Sequence, residues 1–211
     1  MKQHHTFSIV LPAFGAAIIA TLAQIVIPIG AVPITLQTFA VGLVAAIFKP
    51  REAALAGLLY LLLGAIGLPV FAGGGGGLQS FVKPSVGYLL AYPLFAFVTS
   101  KLTHATAPIW KNFLAFVLGD ALVFVGGIIS LHFLGNMPWS GAIAVGLVPF
   151  IIPDLLKGLV VALVMKPIFK SLKNHSYFQE KKIEEGSVHT NNVFNLFILQ
   201  NKCHSALNKL D

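Results

Sequence analysis

From Gln3 to Phe48 the chain carries no Asp, Glu, Lys or Arg. A charge-free run of that length cannot face water, and it is too long to be one core element of a soluble domain. The dilution of charge continues beyond it: only nine charged residues fall between Gln3 and Met165. Over all 211 residues, 10% are charged and 56% hydrophobic, where a soluble domain carries about a quarter charged residues. The chain therefore reads as an all-α integral membrane protein. Lys2, His4 and His5 precede the first apolar run and resemble the n-region of a signal peptide, but the run exceeds signal length and no polar domain follows it. It is read as the first spanning helix.

Apolar stretches at about 8–27, 36–48, 53–67, 85–102, 112–134 and 143–169 predict six transmembrane helices. The second and third are short against the ~20 residues a hydrocarbon core requires. Lys49-Pro50-Arg51-Glu52 divides them into two helices, although a single broken re-entrant unit is the alternative. The basic residues orient the bundle. Lys2, Lys49, Arg51, Lys111, Lys166, Lys170 and Lys173 fall in or beside segments on one side, and Lys83 is the one basic residue in the opposite loops. Both termini are thus predicted to be cytoplasmic. The net charge of +7 reflects these flanking residues, not a basic face interleaved with aromatics, so no nucleic acid is expected. The outer loops 28–37 and 68–84 are rich in Gly and Pro and nearly uncharged. Such loops fold back on the bundle and cap a pocket open to the outside. A membrane domain is expected over 1–172. A cytoplasmic tail, partly disordered, is expected over 173–211, where charge returns and the apolar patch Val193–Leu199 is too short to span.

Asp154 and Lys157 stand out most. A charge within a spanning segment costs about 2.5–3.5 kcal/mol, and residues three apart share a helix face. They form either a self-neutralising structural pair or a polar clamp pointing into the bundle. Pro153 suits a first helical turn, and a carboxylate is favoured there. Lys83 is either a snorkelling interfacial lysine or an anchor for an acidic ligand. Gln79 and Ser80, with Gln37 and Thr35 in the other outer loop, add neutral hydrogen-bonding groups around the same cavity. Gly73 to Gly77 is not a phosphate loop, because no Gly-Lys-Ser/Thr follows; it is either a flexible turn or a site of close backbone approach. Ala13 with Ala17, and Ala16 with Ala20, are small residues at four-residue spacing, which serve helix packing within the bundle or docking of another membrane subunit. Asp120 is read as structural. The histidines show no metal-ligand spacing, and the single cysteine, Cys203, excludes an intramolecular disulfide. No nucleophile–base set appears, so the chain is read as a non-enzyme without metal or cofactor.

The phrases VPITLQTFAVGL, LLYLLLGAIGLPVFAGGGGGL, VGYLLAYPL and PFIIPDLLKGLVVAL, in this order, resemble the BioY family, the biotin-specific S-components of energy-coupling-factor (ECF) transporters. The likeness runs over about residues 10–170. It implies six helices with a biotin pocket near the outer face and no enzymatic activity. It places Asp154 and Lys157 in the ligand site, with Gln79, Lys83 and Tyr88 lining it. It also implies docking of a transmembrane coupling subunit, with its two ATPase subunits, on Ala13, Ala16, Ala17 and Ala20 of the first helix. The family usually has Pro-Gly before the aspartate, where this chain has Ile152-Pro153. On this reading Asp154 accepts a ureido N–H of biotin, Lys157 or Lys83 neutralises its carboxylate, and Phe71 and Tyr88 cover its rings. The alternatives are an S-component for another vitamin, such as riboflavin or thiamine, and a structural or enzymatic polytopic membrane protein.

Overall fold

A computed structural model describes residues 2–28, 32–104 and 107–172. Two compact units are distinguished, Met1–Phe169 and Lys170–Asp211; the fold below is that of the first. The expected tail, 173–211, lies outside the described residues.

The described residues form seven α-helices and one two-stranded hairpin. Helix α1 spans Lys2–Leu22. Strands β1 (Val26–Ile27) and β2 (Ile34–Thr35) pair antiparallel, Val26 opposite Thr35, and lead directly into α2 (Gln37–Ile47). Lys49 is extended because Pro50 follows it, and α3 (Pro50–Ala65) starts with that proline in its first turn. Thus α2 and α3 are separate helices joined by a sharp corner. A long loop leads to α4 (Val86–Leu102), and α5 spans Ile109–Phe133.

The last apolar stretch departs from expectation. It is not one helix from 143 but a short α6 (Trp139–Gly146), a 3-10 turn at Val148–Phe150, and α7 (Ile151–Leu172). Pro138 starts α6 from an extended conformation, and Pro149 lies in the turn between the two helices. Proline has no N–H to continue a helical ladder, so an even apolar composition conceals a break. Helix α5 and the run Trp139–Ser171 are long and apolar enough to cross a bilayer; Val10–Leu22, Gln37–Ile47 and Val86–Leu102 are shorter apolar helices.

Helix α4 packs along α5 and α3, and α1 packs along α3. The α4–α5 contact is backbone to backbone: a Cβ on Gly87 would lie 1.9 Å from the carbonyl oxygen of Gly126. Small residues permit this approach where no hydrophobic effect drives helices together in lipid. Outward faces are apolar throughout, with Leu62, Leu94, Leu118, Val125 and Leu156 all exposed, as suits a surface facing hydrocarbon. The core runs through Tyr60, Val44, Phe95, Phe116 and Met165.

Candidate functional site

The break before α7 places Asp154 in that helix's first turn, where the helix dipole and unpaired N–H groups favour negative charge. Lys157 follows one turn later on the same face. Its ammonium donates to Asp154 Oδ1 at 2.5 Å, to the backbone carbonyl of Thr35 at 2.7 Å and to Thr38 Oγ1 at 3.0 Å. Thr38 Oγ1 in turn donates to Asp154 Oδ1 at 3.0 Å. All three ammonium protons thus have acceptors. The pair is deeply enclosed, with 4% of the Asp154 side chain and 10% of the Lys157 side chain exposed. Among the described residues, the side chains that reach this carboxylate, Lys157 and Thr38, both use Oδ1.

A second network lies beside the first. Gln37 Nε2 donates to the Tyr60 hydroxyl at 2.5 Å, and Thr35 Oγ1 donates to Gln37 Oε1 at 3.1 Å. The Tyr92 hydroxyl reaches the same Oε1 at 3.4 Å. Thr35, Gln37 and Thr38 come together because β2 runs straight into α2, so two networks hang from one chain reversal.

Thr35, Gln37, Thr38, Tyr92, Asp154 and Lys157 line a cavity of about 270 Å³, just below the roughly 300–1,000 Å³ typical of small-molecule sites. Phe71, Tyr88, Phe124 and Phe150 supply apolar walls, and Ser80, Lys83 and Ser85 complete the lining from the α3–α4 loop. The Tyr88 ring lies over Gly127, and its hydroxyl donates to the Gly146 carbonyl at 2.7 Å, which fixes α6 against α4. Phe71 is driven into the bundle by the glycine loop. Its N–H donates to the Gly75 carbonyl at 2.8 Å, and its ring packs edge-on against Tyr60 and Phe81. Gly64 makes room, since a Cβ there would sit 1.9 Å from the ring.

Of the residues singled out from sequence, Thr35, Gln37, Lys83, Tyr88, Asp154 and Lys157 all line this cavity, as do Phe71 and Ser80. Gln79 does not. It is exposed, in the 3-10 turn Leu78–Phe81 that turns its neighbour Ser80 inward. The small residues of α1 divide between two faces: Ala13 and Ala17 are exposed, Ala20 is half-buried, and Ala16, fully buried, packs within the bundle. Thr38, Tyr60 and Tyr92 were missed. A threonine three residues after Thr35 in an apolar helix is the signal that was available for Thr38. Asp120, expected to hydrogen-bond within the bundle, is buried with Oδ1 lacking any hydrogen-bond partner. Trp110 and Trp139 sit at helix ends, Trp139 stacked on His132 at 4.0 Å. No group of three or more metal-ligating side chains occurs among the described residues.

The sequence model of the BioY family matches residues 1–174. The biotin transporter BioY2 of Lactococcus lactis subsp. cremoris is 39% identical over 183 residues, 84% of this chain and 99% of that protein. The biotin transporter BioY of Thermotoga maritima is 40% identical over 148 residues, 70% of this chain and 87% of its own. Among solved structures, the S-component for biotin from an ECF-type ABC transporter matches with a TM-score of 0.74 at 30% identity, covering 81% of this chain and 94% of that one.

Proposed function

The chain belongs to the BioY family, and on that premise we infer that it is the biotin-binding membrane subunit of an ECF-type ABC transporter in the cell membrane. The observation that carries the reading at the level of atoms is the Asp154–Lys157 pair, braced by Thr35 and Thr38 in the lining of the cavity. An acid and a base buried together in an apolar bundle are costly to keep, and here they face a chamber of ligand size.

Biotin presents a ureido ring with two N–H donors, an apolar thioether ring and a carboxylated chain. Among the described residues Lys157 and Thr38 both reach Asp154 at Oδ1, and its other oxygen, Oδ2, accepts a ureido N–H. Lys157 is committed to Asp154, Thr35 and Thr38, so its role is to hold the carboxylate in place. Lys83, with Ser80 and Ser85 beside it in the lining, then receives the ligand's carboxylate. Charge-assisted hydrogen bonds of this kind are the strong ones. Phe71, Tyr88, Phe124 and Phe150 enclose the fused rings.

In this reading α1, α2, α3, α4, α5 and α7 cross the bilayer, α6 lies at the outer side, and both termini are cytoplasmic, in keeping with the flanking lysines. The protein binds and does no chemistry. Its sequence holds no nucleotide-binding motif, so the energy comes from two ATPase subunits through a transmembrane coupling subunit, docked on the exposed Ala13 and Ala17 face of α1. Equilibrium binding of labelled biotin to the full chain in nanodiscs tests the reading. Saturable binding is expected, resistant to excess riboflavin or thiamine. Absence of saturable binding, or equal competition by those vitamins, overturns it.

A further inference from the structure

Gln24 lies just past the end of α1, and its side chain turns toward the α3–α4 loop. Nε2 donates to the Ala20 carbonyl at 2.9 Å, one of the acceptors left open at the helix end. The same nitrogen lies 3.4, 3.3 and 3.4 Å from the carbonyl oxygens of Pro69, Val70 and Phe71. A primary amide has two N–H groups, so one satisfies the helix end and the other is shared among three consecutive carbonyls.

Those carbonyls belong to the stretch of loop that carries Phe71, whose ring lines the cavity. Among the described residues, no other donor reaches the carbonyls of Pro69 and Val70. The remaining ties of this stretch are to α3 or to the loop itself: Gly77 N–H to the Gly64 carbonyl at 2.7 Å, Phe71 N–H to the Gly75 carbonyl, and Ser80 Oγ to the Gly76 carbonyl. Gln24 therefore joins residues 69–71 to a different helix. Beyond Phe71, Gly73 and Gly74 both have positive φ, so the loop has little stiffness of its own. A ligand leaving past Phe71 must displace this segment.

We propose that Gln24 is a positioning residue that latches the Phe71 segment to α1 and so sets how long the ligand stays in the cavity. It does not touch the ligand. Its effect falls on dissociation, because the latch is made when the loop is closed and is absent while the ligand enters. The inference rests on the biotin-binding reading above, but the latch itself is observable without ligand.

The experiment uses the full chain in nanodiscs and three substitutions. Gln24→Glu keeps the size and shape but offers no N–H; Gln24→Ala removes the side chain; Gln24→Lys restores a donor. Preloaded labelled biotin is chased with unlabelled biotin, and amide hydrogen exchange of residues 68–77 is measured on the empty protein. Gln24→Glu and Gln24→Ala are expected to release biotin about three- to tenfold faster, as loss of one or two hydrogen bonds implies, with association changed less than about twofold. Both should also speed exchange across 68–77, and Gln24→Lys should restore both readouts. General damage to packing would not separate Glu from Lys at one position. Unchanged exchange and unchanged release in Gln24→Glu overturn the latch. Failure of the unsubstituted chain to bind biotin overturns the functional reading instead, and the exchange measurement then still decides the latch.

Discussion

Asp154 and Asp120 are two carboxylates in apolar helices, with 4% and 5% of their surface exposed. They could hardly be treated more differently. Asp154 takes hydrogen bonds from Lys157 and Thr38 and lines the cavity. Asp120, one turn before the cavity-lining Val123 on α5, is absent from the lining, and its Oδ1 meets no partner. It lies within electrostatic reach of both Asp154 and Lys157. Burial of a charge in a membrane helix is thus not by itself the mark of a binding site. On the proposed reading, the mark is a buried charge that is partly satisfied by neighbouring donors and also lines a cavity.

The largest expected effect breaks the pair at Asp154. Asp154→Ala leaves the Lys157 ammonium in an apolar bundle with neutral acceptors alone, a loss of about 3–5 kcal/mol, and it removes the proposed ureido acceptor. Biotin binding should fall by a hundredfold or more, with a lowered thermal midpoint. The double substitution Asp154→Asn with Lys157→Gln separates the two losses. Removing both charges should recover most of the midpoint but not the binding. Recovery of binding as well would make the pair a structural brace and reduce Asp154 to the same standing as Asp120. Measuring midpoint and affinity on the same nanodisc samples gives both answers.

A smaller effect is expected at Lys83. It lines the cavity and is exposed, so its charge acts in higher dielectric and is screened by salt. Lys83→Ala should weaken biotin about five- to thirtyfold, and the loss should shrink as ionic strength rises. The sharper measurement uses the uncharged biotin amide. The unsubstituted chain should prefer biotin to its amide, and Lys83→Ala should bind the two alike. If the preference survives in Lys83→Ala but vanishes when Lys157 is changed, the ligand lies the other way round. Gln79→Ala should change affinity by less than about twofold, since the side chain is turned away from the cavity; Ser80→Ala should cost more.

What the sequence made legible follows from where information is dense. In a chain this poor in charge, each charged residue is a landmark, so the α2–α3 corner at Pro50 and the placing of Asp154 and Lys157 on one helix face could be read directly. Hydroxyls carry far less signal. Thr38, Tyr60 and Tyr92 hardly alter the hydropathy of their helices, and their value comes from three-dimensional phase: Thr38 between Lys157 and Asp154, Tyr60 and Tyr92 on Gln37. The glycine loop hides phase altogether. Nothing in Leu78-Gln79-Ser80-Phe81 announces that a 3-10 turn will bury the serine and expose the glutamine. The α6–α7 break was concealed for the opposite reason, since the residues on both sides are equally apolar and only Pro149 interrupts them. Gly15 of α1 faces inward, where an added Cβ would meet Ala56 Cβ at 2.8 Å. Composition identifies a small-residue face, but it does not say which side of the helix is already taken.

The smallest effect on binding is expected at Asp120, and it tests the comparison from the other side. Asp120→Asn keeps the volume and removes the capacity for charge. Because Oδ1 makes no hydrogen bond, the substitution breaks no bond at that atom, and it removes the cost of keeping an ionisable carboxyl buried in an apolar helix. The expected outcome is biotin affinity within about threefold of the unsubstituted chain, with a thermal midpoint equal or higher. Asp120→Leu serves as a control for size, since overpacking a side chain that is 5% exposed should lower the midpoint without touching the cavity lining. A large loss of binding in Asp120→Asn at an unchanged midpoint would mean that its charge, acting on Asp154 and Lys157 from the next helix, is part of the site. The difference between the two aspartates would then be one of distance from the ligand, not of role.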